Sequence, residues 1–285
     1  MAHAGHVLGA TFTRDGRKIV SAAADDTVRV WDAATGLPAR EPWQGSRGSQ
    51  SVAGFSPGGK YVILASRETN VADLVDTEAP RFVTELAGHS ARIEGAVFSP
   101  DGESVVTISA DHTAKLWSAK SGSDIATLDP ASGAIASAAF SRDGTRLVLA
   151  TARDAWVYAL SAADPRPQVL ATLPGHSASL LYATFSNDGK RLVTASSDNT
   201  AKLWSAPTDA SNFDLLATLH GHAAAVNYAE FSPDGRLIVT AGRDGRIKLF
   251  PTTVEALLKK ACEELAPHRE EFEQVEADCR LAAGG

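Results

Sequence analysis

The sequence predicts an all-β chain built as an array of small antiparallel sheets, and three observations predict it. Six phenylalanines, Phe12, Phe55, Phe98, Phe140, Phe185 and Phe231, recur at intervals of 43, 43, 42, 45 and 46 residues. Each precedes a stretch such as Ser99-Pro100-Asp101-Gly102, with Pro and Gly where a tight turn wants them. Between the turns run short segments rich in β-branched and apolar residues, the pattern of strands. A fixed repeat of this length signals one supersecondary unit copied along the chain.

The unit around Phe98 shows the elements in order. Ile93 to Phe98 reads as a first strand, Ser99 to Gly102 as a turn, and Val105 to Ser109 as a second strand. Asp111-His112-Thr113 turns into a third strand, Ala114 to Trp117, and Lys120 to Gly122 turns into a fourth, Ile125 to Leu128. Repeating that register divides residues 1–250 into units near 2–44, 45–87, 88–130, 131–174, 175–220 and 221–250. The last unit has only three strands. After it, Thr252 and Glu255 have the spacing of a capping box, and Val254, Leu257, Leu258, Cys262 and Leu265 fall on one helical face. Pro267 breaks that pattern, and Phe272, Val275 and Cys279 suggest a second short helix, so residues 251–285 are expected to form a helical tail.

Composition narrows the function classes. The 285 residues are 44% hydrophobic and 21% charged, an ordinary globular balance. A net charge of -7 argues against a general binder of nucleic-acid backbone, which needs a basic face. No apolar run approaches the roughly 18 residues of a membrane span, and the start lacks the basic and then apolar pattern of a signal segment. The expectation is a soluble cytoplasmic protein with no membrane partner. Both cysteines, Cys262 and Cys279, lie in the tail, so no disulfide framework is expected in the repeats.

Gly88-His89, Phe98-Ser99-Pro100-Asp101-Gly102 and Asp111-His112-Thr113-Ala114-Lys115-Leu116-Trp117, with Trp31-Asp32 in the first unit, together resemble the WD-repeat β-propeller family. The resemblance covers about residues 2 to 250. It implies a ring of four-stranded blades around a central channel. It also implies a buried network in each complete blade, in which an Asp carboxylate accepts from His, the His engages a hydroxyl, and the hydroxyl accepts from a Trp indole. Counting from each phenylalanine gives His3, Ser21, Asp25 and Trp31; His89, Thr107, Asp111 and Trp117; His176, Thr194, Asp198 and Trp204; and His222, Thr240 and Asp244 with Phe250 in the place of Trp.

A half-satisfied buried network is worse than an apolar one, so the set should be kept or dropped whole. Units two and four drop it, with Ser46, Leu64, Glu68 and Leu74, and with Ala131, Leu149, Arg153 and Ala159, at the same offsets. With only Ala159 to lose, unit four should tolerate substitution better than unit three. The third strand of unit six, Arg246 to Phe250, is expected to be an exposed edge unless the tail covers it. Met1 and Ala2 alone precede His3, which leaves no strand from the chain's start to complete that unit. The array therefore either closes on itself or belongs to a longer propeller, the start at a repeat boundary favouring the second.

Ser or Thr, His and Asp are also the residues of a catalytic triad, but catalysis needs one such site and here the set recurs in four units. His220-Gly221-His222 has no third ligand spaced nearby, so no metal and no cofactor are expected. The alternative is a hydrolase-like propeller enzyme with a site at the channel mouth. What the resemblance favours is a non-catalytic scaffold or sensor for a protein or peptide partner. It implies a binding rim made of the residues three and five after each repeat His and the residue before each repeat Asp. Leu8, Arg67, Arg92, Glu94, Leu181, Asn227 and Arg243 are the candidates among them, with Arg153 near. Arginine forks beside apolar side chains suit an acidic or phosphorylated element of that partner. The tail and the Ala- and Arg-rich repeats also look like the C-terminal part of a larger bacterial signalling protein.

Overall fold

The computed structural model describes residues 2–44, 50–66, 69–78, 81–131, 133–161, 166–207, 212–253 and 256. The fold is all-β, and among these residues no helical element stands beside the strands. Six antiparallel sheets follow one another along the chain as propeller blades, five of four strands and the sixth of three. The expected helical tail lies outside the described residues.

The first strands are Val7–Phe12, Gln50–Phe55, Ile93–Phe98, Ile135–Phe140, Leu180–Phe185 and Val226–Phe231, each ending on its register phenylalanine. A turn follows at once, closed by a hydrogen bond from the fourth residue to the first, as from Gly102 N to Ser99 O at 2.9 Å. Gly102 has φ +75°, a left-handed conformation that costs glycine nothing. The Ser99 hydroxyl donates to Asp101 Oδ1 at 2.5 Å, which fixes the acidic residue of the turn. In blade three the remaining strands are Ser104–Ser109, Ala114–Ser118 and Asp124–Leu128, each within a residue of the sequence reading.

The chain divides into two compact units, Met1–Gly175 with blades one to four and His176–Gly285 with blades five and six. Within each, the core lies between blades rather than inside one. Ile63, Ala65, Ala72 and Leu74 of blade two pack against Ile93, Phe98, Val105 and Trp117 of blade three. Ile108, Leu116 and Leu128 of blade three pack against Ile135, Leu147, Leu149 and Tyr158 of blade four. A blade is thus a two-faced wall, and every covered face excludes water together with its neighbour.

Two expected equivalences are corrected by strand register. Trp117 stands opposite Val105. The residue opposite Val62 in blade two is Val75, not Leu74, and the residue opposite Leu147 in blade four is Tyr158, not Ala159. The hairpin joining the second and third strands is one residue longer in blade two and one shorter in blade four, since the closing pairs are Ala65 with Ala72, Ile108 with Ala114 and Ala150 with Ala155. One residue of slip moves a side chain to the other face. Leu74 therefore faces blade three, and Tyr158, 4% exposed, fills the tryptophan position of blade four. Of the expected capping box, Glu255 lies outside the described residues and the Thr252 hydroxyl is engaged elsewhere. The Thr252 hydroxyl donates to Gly235 O at 2.8 Å, while the Thr253 hydroxyl accepts from Ala256 N at 3.3 Å.

Because Tyr158 is buried, blade four has a large aromatic side chain to lose, as its neighbours have a tryptophan. Tyr158→Ala is expected to cost about 3 to 5 kcal/mol in urea denaturation. A loss below about 1 kcal/mol would mean that the aromatic is not part of the core between blades three and four.

Candidate functional site

Within single blades, two sets of repeated residues come together. The first is the network of polar side chains inside the blades. In blade three, His89 Nδ1 lies 2.9 Å from Asp111 Oδ2, His89 Nε2 lies 2.8 Å from Thr107 Oγ1, and the Trp117 indole donates to the same oxygen at 2.8 Å. Blade five repeats it with His176, Asp198, Thr194 and Trp204 at 2.8, 2.8 and 3.0 Å. In blade one, Ser21 Oγ is 2.7 Å from both His3 Nε2 and the Trp31 indole, and Asp25 sits 3.3 Å from His3 Nδ1. Blade six joins His222 to Asp244 at 3.0 Å and to Thr240 at 2.8 Å, and Phe250 offers no indole.

The proton positions follow from the donor inventory. An indole N–H can only donate, so the hydroxyl accepts from it and turns its own hydrogen to His Nε2. The imidazole then carries its proton on Nδ1 and donates it to the carboxylate. Each carboxylate collects more donors than the sequence pattern named. Asp111 also accepts from Ser90 N at 2.9 Å and from the Thr113 hydroxyl at 2.7 Å, and Asp198 accepts from Ser177 N at 3.0 Å and from the Thr200 hydroxyl at 2.6 Å. Thr27 does the same for Asp25 at 2.6 Å. Asp-x-Thr, repeated in three blades, was the available sequence signal for these partners.

Charge follows geometry. Burial pushes the His89 and His176 imidazoles below their ordinary range, against the opposing pull of Asp111 and Asp198. Burial also works to raise the carboxyls of Asp111 and Asp198, but the hydrogen bonds from Thr113 and Thr200 and from the backbone outweigh it. Asp111 is held far below the usual carboxylate range and Asp198 is lowered to about 2.

The second set lies at the start of the first strands. Every first strand carries a β-bulge, and in register the extra residues are Leu8, Ser51, Glu94, Ala136, Leu181 and Asn227. These are the residues five after the repeat His. A bulge bends the strand and re-aims the extra side chain. In four blades the residue before the repeat Asp donates its N–H to the carbonyl of the residue three after the His: Ala24 to His6 at 2.8 Å, Ala110 to Arg92 at 3.0 Å, Ser197 to Ser179 at 2.9 Å and Arg243 to Ala225 at 2.7 Å. In these four blades backbone bonds therefore fix the trio while leaving its side chains unspecified. Arg92 and Glu94, both exposed, form an ion pair at 2.9 Å, and Arg243 Nε donates to Asn227 Oδ1 at 3.0 Å. Leu8 and Leu181 are half-buried, Arg153 is exposed beside its trio, and Arg67 lies outside the described residues.

At the other end of the first strands, a cleft of about 390 Å³ opens among turns of blades one to three. Its cations, Arg14, Lys18, Arg40 and Lys60, are matched by Asp15, Glu78, Asp101 and Glu103, which leaves no net preference for an anion.

The model of the WD domain, G-beta repeat, matches residues 1–32, 80–118, 167–205 and 213–250, about half of the chain. The chain belongs to the WD-repeat family. The stretches passed over contain most of blades two and four, the two WD blades that lack the His and Asp pair. An uncharacterised WD repeat-containing protein of Synechocystis is 28% identical over 145 residues, which are 50% of this chain and 41% of that protein. The human serine-threonine kinase receptor-associated protein is 26% identical over 168 residues, 58% of this chain and 46% of that one. Human apoptotic protease-activating factor 1 is 30% identical over 110 residues, 39% of this chain and 9% of that one. The chain spans less than half the length of each. Among the described residues no helix is long and apolar enough to cross a membrane.

Two outcomes follow from the WD network. Thr107→Val keeps the shape but orphans the Trp117 indole and the His89 ring nitrogen, at about 1 to 3 kcal/mol per group, so about 2 to 5 kcal/mol is expected to disappear from the unfolding free energy. Unchanged stability would show that the hydroxyl is not shared. Acid acts with one sign on both ionisable members. The lowered His89 and His176 stay neutral when folded, so the unfolded chain binds more protons below about pH 6.5 and stability declines from there. The lowered Asp111 and Asp198 add stability that is complete above about pH 4 and is lost as pH falls through their folded values. Denaturation midpoints from pH 7 to 3 should fall throughout, and Asp198→Asn should flatten the most acidic part of the curve.

Proposed function

We propose that this chain is a non-catalytic interaction module that holds a protein or peptide partner against the trios at its bulged first strands, and that the partner offers an acidic or phosphorylated element. WD repeats generally mediate protein–protein contacts, and the relatives include a protein named for its association with a kinase receptor. The observation that carries the reading is the bulge itself. The bulge inserts one residue per blade at the same register six times, yet that residue is Leu, Ser, Glu, Ala, Leu or Asn. Constant geometry with variable chemistry suits recognition.

The rim arginines supply the charge preference. Arg243 is exposed and spends one nitrogen on Asn227, so its remaining donors can take a carboxylate or phosphate. Arg92 would exchange Glu94 for the partner, a contact that is worth little while both side chains face water. Against catalysis stands the burial of the histidines that resemble triad members. Their side chains are 3% exposed or less in all four blades, and each ring already has a carboxylate and a hydroxyl as partners. The module would work in the cytoplasm as the C-terminal part of a longer bacterial signalling protein; relatives that extend well beyond the matched region support the longer chain alone.

An array of acidic, phosphorylated and basic peptides probed with the purified chain tests the preference. Binding should favour acidic or phosphorylated sequences, and replacing Arg67, Arg92 and Arg243 with Ala should weaken it by at least about tenfold, given about 1.5 to 3 kcal/mol for each hydrogen bond to a charged group. Equal binding by the triple variant at unchanged stability would overturn the assignment of the rim.

A further inference from the structure

In five of the six blades, the turn after the first strand holds a carboxylate in the same place. Asp101 Oδ1 accepts from the Ser99 hydroxyl at 2.5 Å and from Glu103 N at 2.9 Å. Asp15, Asp143, Asp188 and Asp234 accept the same two bonds, from a Thr or Ser hydroxyl at 2.6 Å and from a backbone N–H at 3.0 Å. Blade two differs: it reads Ser56-Pro57-Gly58-Gly59, with glycine where the other turns have aspartate.

The two donors are nevertheless kept. Tyr61 N donates to Ser56 Oγ at 2.8 Å, as Ser104 N does to Ser99 Oγ at 3.0 Å, and Gly59 N closes on Ser56 O at 2.8 Å, as Gly102 N does on Ser99 O at 2.9 Å. Ser56 and Lys60 therefore stand where Ser99 and Glu103 stand in blade three. Among the described residues, neither the hydroxyl hydrogen of Ser56 nor the Lys60 N–H has an acceptor. Ser56 is 2% exposed, and a buried donor left without an acceptor is costly. The missing side chain has a packing reason. Gly58 has φ +79°, and a Cβ on it would lie 3.0 Å from Arg14 Cβ of blade one.

Ser56, Gly58 and Lys60 all line the cleft of about 390 Å³ among blades one to three, which is large enough for a small molecule. Its charges are matched as a whole, so long-range attraction selects nothing, and directed bonds decide what fits. Two of its four carboxylates, Asp15 and Asp101, are already engaged by their own turns. Arg14, which packs against Gly58, has no ion-pair partner among the described residues. The other five turns show what this pair of donors takes: one oxygen of a carboxylate. A dianion would bring a second charge that the matched cleft does not compensate. We propose that Ser56 Oγ–H and Lys60 N–H form a subsite for the carboxylate of a small ligand, which accepts there the two bonds that an aspartate of the chain accepts in the other turns, with Arg14 beside it. This site lies at the opposite end of the first strands from the trios and is independent of them.

Amide NMR of the nitrogen-labelled full chain tests this, with sodium acetate replacing sodium chloride at constant ionic strength. The Lys60 amide should shift and saturate in the millimolar range, while the Glu103 amide, which already donates to Asp101, should stay in place. Ser56→Ala should raise the acetate dissociation constant by at least about tenfold, the worth of one hydrogen bond to a charged group. Ser56→Thr should restore binding, since Thr13 fills the same place in blade one. A Lys60 amide that does not respond to acetate, or an equal affinity in Ser56→Ala, would overturn the proposal. Inorganic phosphate saturating the same amide at a lower concentration than acetate would overturn the choice of a carboxylate. The titration of the unaltered chain decides the matter by itself if Ser56→Ala does not fold.

Discussion

One hydroxyl oxygen in each of blades one, three, five and six carries the heaviest constraint in this molecule. In blade three, Thr107 Oγ1 takes the proton of an indole on a neighbouring strand and gives its own to a histidine that begins the unit, and the histidine gives its proton to an aspartate on a turn. No member can be satisfied by apolar packing, and water does not reach them, so each fixes the others. The network ties the segment before the first strand to the second and third strands and to the turn between them. With those points tied, the bulge and the backbone bond of Ala110 to Arg92 fall in a fixed place. The surface proposed for recognition would therefore be held by residues that do not belong to it.

Blades two and four show what replaces the network when it is absent. Leu64 and Leu149 take the hydroxyl position and Val75 and Tyr158 the indole position, all buried. Stability there rests on volume instead of directed bonds, which tolerates small shifts better but costs cavity energy when a large side chain is removed. Blade six is intermediate. It keeps His222, Thr240 and Asp244 without an indole.

Much of this was legible from residue spacing. The phenylalanine register located every first strand to its last residue, because strand, turn and phenylalanine recur as one rigid piece. Counting outward failed where the count crossed a hairpin of different length, so Leu74 and Ala159 were assigned positions that Val75 and Tyr158 occupy. Spacing from a fixed mark cannot register an insertion in a loop, whereas burial can. Thr252 looked like a cap in sequence, but its hydroxyl is spent on the blade. At the rim, the identities of Arg92, Glu94, Asn227 and Arg243 could be read directly, but their pairing could not. Whether Arg92 faces Glu94 or a partner depends on side-chain directions that a bulge changes and a sequence does not display.

The account stands or falls on the histidines being structural and neutral, with the proton on Nδ1. Nitrogen NMR of the labelled imidazoles in the folded chain measures this directly. His89 and His176 should show the Nδ1–H tautomer at pH 7 and should keep it on acidification through the range where an ordinary histidine takes up a proton. An Nε2–H tautomer, or protonation of either ring near its usual pH in the folded protein, would contradict the shared hydroxyl and with it the division between residues that hold the blades and residues that bind.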